Sequence, residues 1–164
     1  AVFTPDMTRV ISTSSDATVR IWDVRTMECQ LTFHPDANKA SKSVQHAPIH
    51  GASVLSIGDL LEIVTCSASP VIHVNDIGGH LLRRITNDDS VTNRPDFAHC
   101  ALSISGNHVY GVGEDHVLYV FNMHTTKLHH TLQLHKKTVL GIVHHPLQNL
   151  LMTWSTDGTL KLWR

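Results

Sequence analysis

The sequence predicts an all-β fold built from one small antiparallel unit that repeats along the chain. Residues 154–164, WSTDGTLKLWR, place an Asp-Gly pair between two apolar runs, which is a strong local signal for a β-hairpin. Related phrases occur at residues 12–23, STSSDATVRIWD, and at residues 113–122, GEDHVLYVFN. In each copy an aromatic residue follows the aspartate by six positions: Asp16 and Trp22, Asp115 and Phe121, Asp157 and Trp163. The constant spacing indicates a repeated unit.

The first unit is predicted at residues 1–33. Val19 and Ile21 alternate with polar or amphipathic neighbours, at the period of two that a half-buried strand requires. The strands are predicted at 1–5, 9–14, 18–22 and 28–33, with a tight turn at Asp16-Ala17. Short strands joined by such turns imply an antiparallel sheet.

The second and third units are predicted at 49–85 and 97–134. In the second, Ser69 stands in the aspartate position and Asn75 in the tryptophan position, so its polar interior should be of another kind. Gly78-Gly79 and Ser105-Gly106-Asn107 are predicted turns. The strands of these units are predicted at 52–57, 62–66, 71–74, 81–85, 97–104, 108–112, 117–121 and 127–134. The polar segments 34–48 and 86–96 are interpreted as loops between units.

The fourth unit is predicted at residues 135–164, with strands at 138–144, 150–154 and 159–163. Its hairpin contains Asp157-Gly158, a pair typical of turns in which both central residues have positive φ. We therefore expect positive φ at both positions. An outer fourth strand is missing from this unit.

Composition argues against several classes of function. The net charge is −1 and only 16% of the residues are charged, so there is no electrostatic basis for wrapping DNA. No apolar run is long enough for a membrane helix, and no signal peptide is recognised. The three cysteines are isolated and odd in number, which favours a reducing cytosolic or nuclear compartment over a disulfide framework.

The sequence predicts no catalytic, cofactor or metal site and no small-molecule substrate. It contains 14 histidines, including His129-His130 and His144-His145, but adjacent residues on a strand point to opposite faces and cannot chelate together. The stretch Glu114-Asp115-His116 falls on a predicted turn rather than in a catalytic cluster. No nucleotide-binding or nucleophile motif occurs.

Direct binding to RNA is left open but is not indicated. The basic positions are scattered through three different turns or strand ends: Arg83-Arg84, Lys136-Lys137, and Lys161 with Arg164. We interpret them as a solvated rim, because the aromatic stacking residues of RNA-binding modules are missing.

The phrases SSDATVRIWD and STDGTLKLW resemble the repeats of WD40 β-propellers. In that family the blade aspartate binds a histidine from the preceding loop, and a strand hydroxyl binds the tryptophan indole N–H. The resemblance implies such a structural network in the last unit, at His135, Ser155, Asp157 and Trp163. It implies Ser14, Asp16 and Trp22 in the first unit, whose histidine would precede residue 1. The third unit keeps Asp115, with Gly113 in the hydroxyl position and Phe121 in place of tryptophan.

The WD40 resemblance also implies a ring. A closed propeller protects the edges of its blades, and about four blades with an incomplete last sheet do not close. We therefore expect these four units to belong to a seven-bladed ring, with the missing strand supplied from the N-terminal part of the protein.

Three stretches resemble the C-terminal end of the Smu-type WD40 splicing factors: VGEDHVLYVF, GIVHHPLQNLL and DGTLKLW. That resemblance implies a nuclear, non-enzymatic scaffold of the spliceosome that acts in pre-mRNA splicing. Its implied partners are spliceosomal proteins, including a RED-type protein, and no membrane is involved.

An alternative function rests on Trp22-Asp23-Val24-Arg25. This stretch resembles the WDxR box of propellers that serve as substrate receptors of cullin-RING ubiquitin ligases. In that case the exposed charge of Arg25 would contact the ligase adaptor.

Overall fold

The fold class is all-β, as the sequence predicts. The computed structural model describes residues 1–36, 47–57, 60–86 and 95–164, and within these ranges it contains strands and turns and no helix. Accordingly, no helix of the described chain is long and apolar enough to span a membrane. The predicted loops 34–48 and 86–96 lie mostly outside the described residues.

The strands form four antiparallel sheets in which each strand pairs with the next one in sequence. Sheet 1 contains β1 (Val2–Phe3), β2 (Arg9–Thr13), β3 (Val19–Asp23) and β4 (Cys29–Phe33). Sheet 2 contains β5 (Ile49–Ile57), β6 (Leu60–Ser67), β7 (Val71–Asp76) and β8 (Leu81–Thr86). Sheet 3 contains β9 (Phe97–Leu102), β10 (His108–Gly113), β11 (Val117–Asn122) and β12 (Leu128–Gln133). Sheet 4 contains β13 (Val139–His144), β14 (Leu151–Ser155) and β15 (Leu160–Trp163).

Three apolar cores lie between successive sheets. Ile11, Val19, Ile21, Ile49 and Ile63 fill the space between sheets 1 and 2. The core between sheets 2 and 3 is the largest, and β6 contributes to it through Val64 and Cys66. Adjacent residues of one strand thus face different cores, which explains why β6 and β7 are buried along most of their length. A third core between sheets 3 and 4 contains Val112, Leu118, Leu134, Val139 and Leu151.

The first strands of the four sheets, β1, β5, β9 and β13, lie side by side. They line a shared cavity of about 380 Å³ whose walls include Ser53, Cys100 and His144. Sheets 2 and 3 are also fastened to the sheets before them, since Ile49 N–H donates to the carbonyl of Ser14 and Phe97 N–H to that of Ser69. These bonds place the turns between second and third strands beside the start of the next first strand.

The turn in sheet 4 differs from the predicted one. Gly158 has a φ of 80°, but Asp157 is not among the residues with positive φ, so the expectation for Asp157 is wrong. Gly158 N–H donates to the carbonyl of Ser155 at 3.2 Å, which makes Gly158 the last residue of a four-residue turn. The equivalent residues Ala17 and His116 have φ values of 65° and 66°. In all three sheets the residue after the aspartate, and not the aspartate, takes the left-handed conformation.

Strand boundaries differ from the predicted ones by a few residues. β5 begins at Ile49 rather than at residue 52, and β9 ends at Leu102 rather than at residue 104. β9 stops early because Ser103 already begins the turn, in which its carbonyl accepts a hydrogen bond from Gly106 N–H at 3.0 Å. The turns at Gly78-Gly79 and Ser105-Gly106-Asn107 are confirmed.

Substitution of two glycines of sheet 4 distinguishes a loss of stability caused by a steric clash from one caused by backbone conformation. A Cβ at Gly141 would fall within the indole of Trp154, whereas a Cβ at Gly158 meets nothing within 4 Å. We expect Gly141→Ala to lower the free energy of unfolding by about 2–3 kcal/mol through overpacking. Gly158→Ala should cost about 1 kcal/mol, from its positive φ alone.

Urea denaturation of the intact protein measures both losses, and tryptophan fluorescence distinguishes their causes. The native emission should shift in Gly141→Ala, because the Trp154 ring has to move, and should stay unchanged in Gly158→Ala. Equal stability losses with unchanged emission in both variants would contradict the packing described for Trp154.

Candidate functional site

A network of four side chains crosses sheet 4 from its turn to its outer strand. His135 Nδ1 lies 3.1 Å from Asp157 Oδ2, and His135 Nε2 lies 2.8 Å from Thr153 Oγ1. Trp163 Nε1–H donates to the same Thr153 oxygen at 3.0 Å. His135 and Thr153 are buried. Because a buried polar group without a partner destabilises a fold, this chain of contacts lets an imidazole lie inside the sheet.

The network follows from the register of the hairpin. Leu151 is paired with Trp163, and Thr153 lies two residues further along β14, so all three side chains share one face of the sheet. His135 follows the buried Leu134, which anchors the connection between sheets 3 and 4 in the core. The same face therefore receives His135 from the connection and Trp163 from the outer strand.

The neighbouring groups determine where the protons of the network lie. The Thr159 hydroxyl donates to Asp157 Oδ1 at 2.5 Å, so its oxygen is left to accept from His135 Nδ1, 3.0 Å away. Nδ1 thus faces two acceptors and carries the proton of the neutral ring. The Thr153 hydroxyl accepts from the indole and donates to His135 Nε2. One hydroxyl therefore serves both rings in opposite roles.

Hydrogen bonds hold the Asp157 carboxyl in its ionised form. The Thr159 hydroxyl is the largest contribution, followed by the backbone N–H groups of Thr159 and Lys136 and by the His135 ring. Together they hold the pKa of Asp157 well below its ordinary value, against the opposing effect of partial burial. The carboxylate is only 13% exposed.

The predicted role of Ser155 as the hydroxyl that binds the Trp163 indole is wrong. Ser155 lies at the turn end of the hairpin, whereas Trp163 is paired with Leu151 at the other end. The Ser155 hydroxyl donates instead to the Lys137 carbonyl at 3.1 Å and accepts from Asp157 N–H at 3.1 Å. It orders the turn, and Thr153 binds the indole. The sequence feature that could have identified Thr153 is its position two residues before Ser155. It lies on the same face of β14 as Ser155, but nearer to the end of the strand that is paired with Trp163.

Sheet 1 shows the same correction. Trp22 Nε1–H donates to Ser12 Oγ at 2.9 Å, so the predicted partner, Ser14, is wrong. The Ser14 hydroxyl accepts from Asp16 N–H at 3.3 Å, as Ser155 does in sheet 4. Asp16 accepts from the backbone and the hydroxyl of Thr18 at 2.9 and 2.6 Å. The hydroxyl bond of Thr18 is the main cause that lowers the pKa of Asp16.

In sheet 3 a tyrosine binds the turn aspartate. The Tyr119 hydroxyl donates to Asp115 Oδ2 at 2.7 Å, and Val117 N–H donates to Asp115 Oδ1 at 3.2 Å. Burial and the nearby carboxylate raise the pKa of Tyr119. A Cβ at residue 113 would collide with Asp115 Oδ1, so Gly113 leaves room for the carboxylate. Phe121, in the tryptophan position, is fully buried.

Sheet 2 has a polar interior of another kind, as its sequence predicts. Asn75, in the tryptophan position, donates through Nδ2 to the carbonyls of Pro35 and Gly79, both at 3.2 Å. Ser69, in the aspartate position, shares a hydrogen bond with Ser67 at 2.9 Å. Asp36 lies within 4 Å of the His73 ring on β7, at 3.8 Å, and of the Arg84 guanidinium on β8, at 3.6 Å. The start of the connection from sheet 1 is thereby held against sheet 2.

The basic side chains serve different purposes. Arg83 makes a bidentate ion pair with the buried Glu62, at 2.9 and 3.0 Å. Lys161 donates to the Leu134 carbonyl at 2.6 Å and lies 5.5 Å from the centre of the Trp163 ring. Arg25, by contrast, is exposed and makes no ion pair with any described residue, although its backbone N–H donates to Asp23 Oδ1 at 2.9 Å.

The histidines do not gather around a point. No group of three or more His, Cys, Asp or Glu side chains in the described ranges is placed to hold a metal ion. The rings of His129 and His130 are 6.2 Å apart with an interplanar angle of 73°, and a β-bulge at His129 interrupts the alternation that the sequence predicts for this pair.

Comparison with known proteins identifies the repeats. The family model described as "WD domain, G-beta repeat" matches residues 1–23 and 126–164. The Dictyostelium discoideum protein named "WD40 repeat-containing protein smu1" is 32% identical to this chain over 99% of its length. The chain belongs to the WD40-repeat family. The WD40 model's matches include sheet 4 and the strands of sheet 1 up to Asp23, which are the parts that contain the indole–hydroxyl bonds.

Two fungal proteins are also similar. "Protein hir1" of Emericella nidulans is 27% identical and "Protein HIR1" of Aspergillus oryzae 25% identical, each over 98% of this chain. The chain spans 29% of the length of the smu1 protein and 17% of the length of each fungal protein. WD40-repeat proteins are generally non-enzymatic scaffolds, and none of these matches is to a catalytic family.

Removal of the bridging hydroxyl tests the network. Thr153→Val keeps the shape of the side chain but leaves His135 Nε2 without a donor and Trp163 Nε1 without an acceptor. We expect the free energy of unfolding to fall by about 2–3 kcal/mol. Thr156→Val is the matched control, since Thr156 is exposed at the turn, and it should change stability by less than about 0.5 kcal/mol. Equal losses in the two variants, measured by chemical denaturation, would rule out the bridge.

The pH dependence of stability tests the Asp157 carboxylate. Because its pKa in the folded protein lies below the unfolded value of 3.8, its contribution is complete above that pH and is lost as the pH falls further. In Asp157→Asn this contribution is absent throughout. The stability difference between wild type and variant should therefore shrink as the pH is lowered from about 5 towards 2. A difference that stays constant over this range would show that the carboxylate has an ordinary pKa.

Proposed function

We propose that the chain is part of a nuclear, non-enzymatic WD40 scaffold of the spliceosome that acts in pre-mRNA splicing. The similarity to the smu1 protein carries this proposal. It covers 99% of the chain and so runs through residues 24–125, which the WD40 model leaves unmatched. Those residues include the divergent sheets 2 and 3, in which no tryptophan network is present.

The scaffold works by holding turns and strand edges in fixed positions for several protein partners. We propose four repeats, at 1–33, 49–85, 97–134 and 135–164, within a ring of seven. The exposed apolar side chains Leu160 and Leu162 on β15 support further protein beside sheet 4. The partners we propose are spliceosomal proteins, among them a RED-type protein. No cofactor or small-molecule substrate is part of the proposal.

Affinity purification from nuclear extract tests the proposal. The tagged intact protein should recover a RED-type protein together with spliceosomal proteins. Depletion of the protein from the extract should reduce splicing of a reporter pre-mRNA, and addition of the purified protein should restore it. Restoration without recovery of spliceosomal proteins, or recovery without any effect on splicing, would contradict the scaffold role.

The same purification examines the cullin-RING alternative. If Arg25 docks on a ligase adaptor, that adaptor should be recovered with the wild type and lost with Arg25→Ala. Arg20→Ala is the matched control, since Arg20 is an exposed arginine of the same sheet, and its ion-pair partner among the described residues is Asp16, at 3.7 Å. Loss of an adaptor in Arg25→Ala alone, with splicing unaffected by depletion, would replace the splicing proposal.

A further inference from the structure

Side chains close the turns of this fold by accepting hydrogen bonds from backbone N–H groups. In sheet 1, Asp23 Oδ1 accepts from the N–H groups two and three residues further on, at 2.9 and 2.8 Å. In sheet 3, Asn122 Oδ1 does the same at 2.9 and 2.8 Å. Both turns join third and fourth strands, and Asp and Asn are residue types that commonly close a turn in this way.

A histidine closes the turn between the first and second strands of sheet 4. Nδ1 of the His145 ring lies 3.0 Å from the backbone nitrogens of both Leu147 and Gln148. It therefore accepts from N–H groups at the same two offsets as in the turns of sheets 1 and 3. The backbone completes the turn, since His145 N–H donates to the Leu150 carbonyl and Leu150 N–H to that of Gln148, both at 2.8 Å. We call residues 145–150 the histidine turn.

The two N–H donors determine where the proton of the His145 ring lies. A backbone N–H can only donate, so Nδ1 must present a lone pair, and the neutral ring carries its proton on Nε2. A protonated ring carries a proton on both nitrogens and has no lone pair left. Protonation of His145 therefore removes the acceptor of both hydrogen bonds and turns a cation towards two N–H groups.

The preceding histidine disfavours a charged ring for a different reason. His144 Nδ1 lies 2.8 Å from the His145 carbonyl and donates to it, so the neutral His144 ring has its lone pair on Nε2. That Nε2 atom is buried and has no hydrogen-bond partner in the described part of the chain. A proton there would place a positive charge in a buried position without a partner, which is unfavourable. Both histidines therefore favour the closed turn in their neutral forms.

Sheets 3 and 4, as far as they are described, place no carboxylate beside the two histidines. Their carboxylates lie at the opposite end of the sheets: Asp96, Glu114, Asp115 and Asp157. The titratable and charged groups nearer to the histidine turn are neutral or basic: Tyr110 and His108 on β10, Cys100 on β9, His124 and Lys127 before β12, His129 and His130 on β12, and Arg164 after β15. The Tyr110 ring is stacked on that of His144, with ring centres 5.7 Å apart, and burial raises the pKa of its hydroxyl.

The equivalent turns of sheets 1 and 3 are closed by groups whose charge does not change near neutral pH. Thr8 N–H donates to Asp6 Oδ1 at 3.1 Å, and hydrogen bonds from Thr4 and Thr8 lower the pKa of Asp6 to about 2. Asn107 N–H donates to the Ser105 hydroxyl at 3.4 Å. Of these three turns, the one in sheet 4 is closed by a group that changes its charge between about pH 5 and 8.

We propose that the histidine turn is a pH-sensitive element of the fold, closed while His145 is neutral and opened by its protonation. Acid favours the open turn, because an open turn binds the proton without losing two hydrogen bonds. Opening releases Leu147, which is 81% exposed on the closed turn. It also takes from His144, which lines the shared cavity, the carbonyl to which its ring donates. The splicing proposal involves no change of conformation, so this inference goes beyond it and can fail independently.

Nuclear magnetic resonance of the intact protein, with isotope-labelled histidine rings and leucine methyl groups, tests the proposal. At about pH 7.5 the two rings should be opposite tautomers, with the proton on Nε2 in His145 and on Nδ1 in His144. As the pH is lowered to about 5.5, the Leu147 methyl signals should move towards their positions in His145→Ala, which lacks the acceptor. The ratio of open to closed turn should rise by up to about tenfold per pH unit for one linked proton.

Replacement of His145 by asparagine separates the acceptor from the charge. Asn122 shows that an asparagine oxygen accepts two such N–H groups, and it does not titrate, so His145→Asn should keep the turn closed throughout. His130→Asn, which removes an exposed histidine of β12, is the matched control and should respond to pH as the wild type does.

Three results would overturn the proposal. The Leu147 signals of the wild type would not change with pH, or they would move equally in His145→Asn, or the neutral His145 ring would carry its proton on Nδ1. The tautomer is measured on the wild type, so this part of the test holds even if a substitution disturbs folding.

Discussion

The hydroxyl of Thr153 is the interaction on which sheet 4 depends. It accepts a hydrogen bond from the Trp163 indole and donates one to His135, whose other nitrogen binds Asp157. A hydroxyl is the smallest side-chain group able to serve as donor and acceptor at once. Through it, the connection from sheet 3, the turn and the outer strand are joined, and in sheet 1 the Ser12 hydroxyl accepts a hydrogen bond from the Trp22 indole.

The four sheets divide the task of stabilisation between polar and apolar contacts. Sheets 2 and 3 share the largest core, in which Phe121 packs edge-on against Phe97 with ring centres 6.0 Å apart. Sheets 1 and 4 contain the indole–hydroxyl bonds. In sheet 3 the tryptophan is replaced by the buried Phe121, and in sheet 2 by Asn75, which donates to the carbonyls of Pro35 and Gly79.

Much of this fold could be predicted because apolar and polar residues alternate along the strands and because the turns recur at a fixed offset from an aspartate. The prediction that Ser155 binds the indole failed for a physical reason. The hydroxyls of Ser155 and Thr153 lie on one face of β14, and only the pairing of Leu151 with Trp163 shows which of them lies beside the indole. Asp157 does not take the predicted positive φ because its carboxylate accepts a hydrogen bond from Thr159 N–H across the turn.

The distance between indole and hydroxyl also limits how this repeat can change in length. Trp163 and Thr153 are ten residues apart, as are Trp22 and Ser12, because a hairpin of fixed size lies between them. One residue gained or lost inside that hairpin would turn the tryptophan to the opposite face. Insertions outside that hairpin leave this distance unchanged, and the connections at residues 34–48 and 86–96 are longer than the one between sheets 3 and 4.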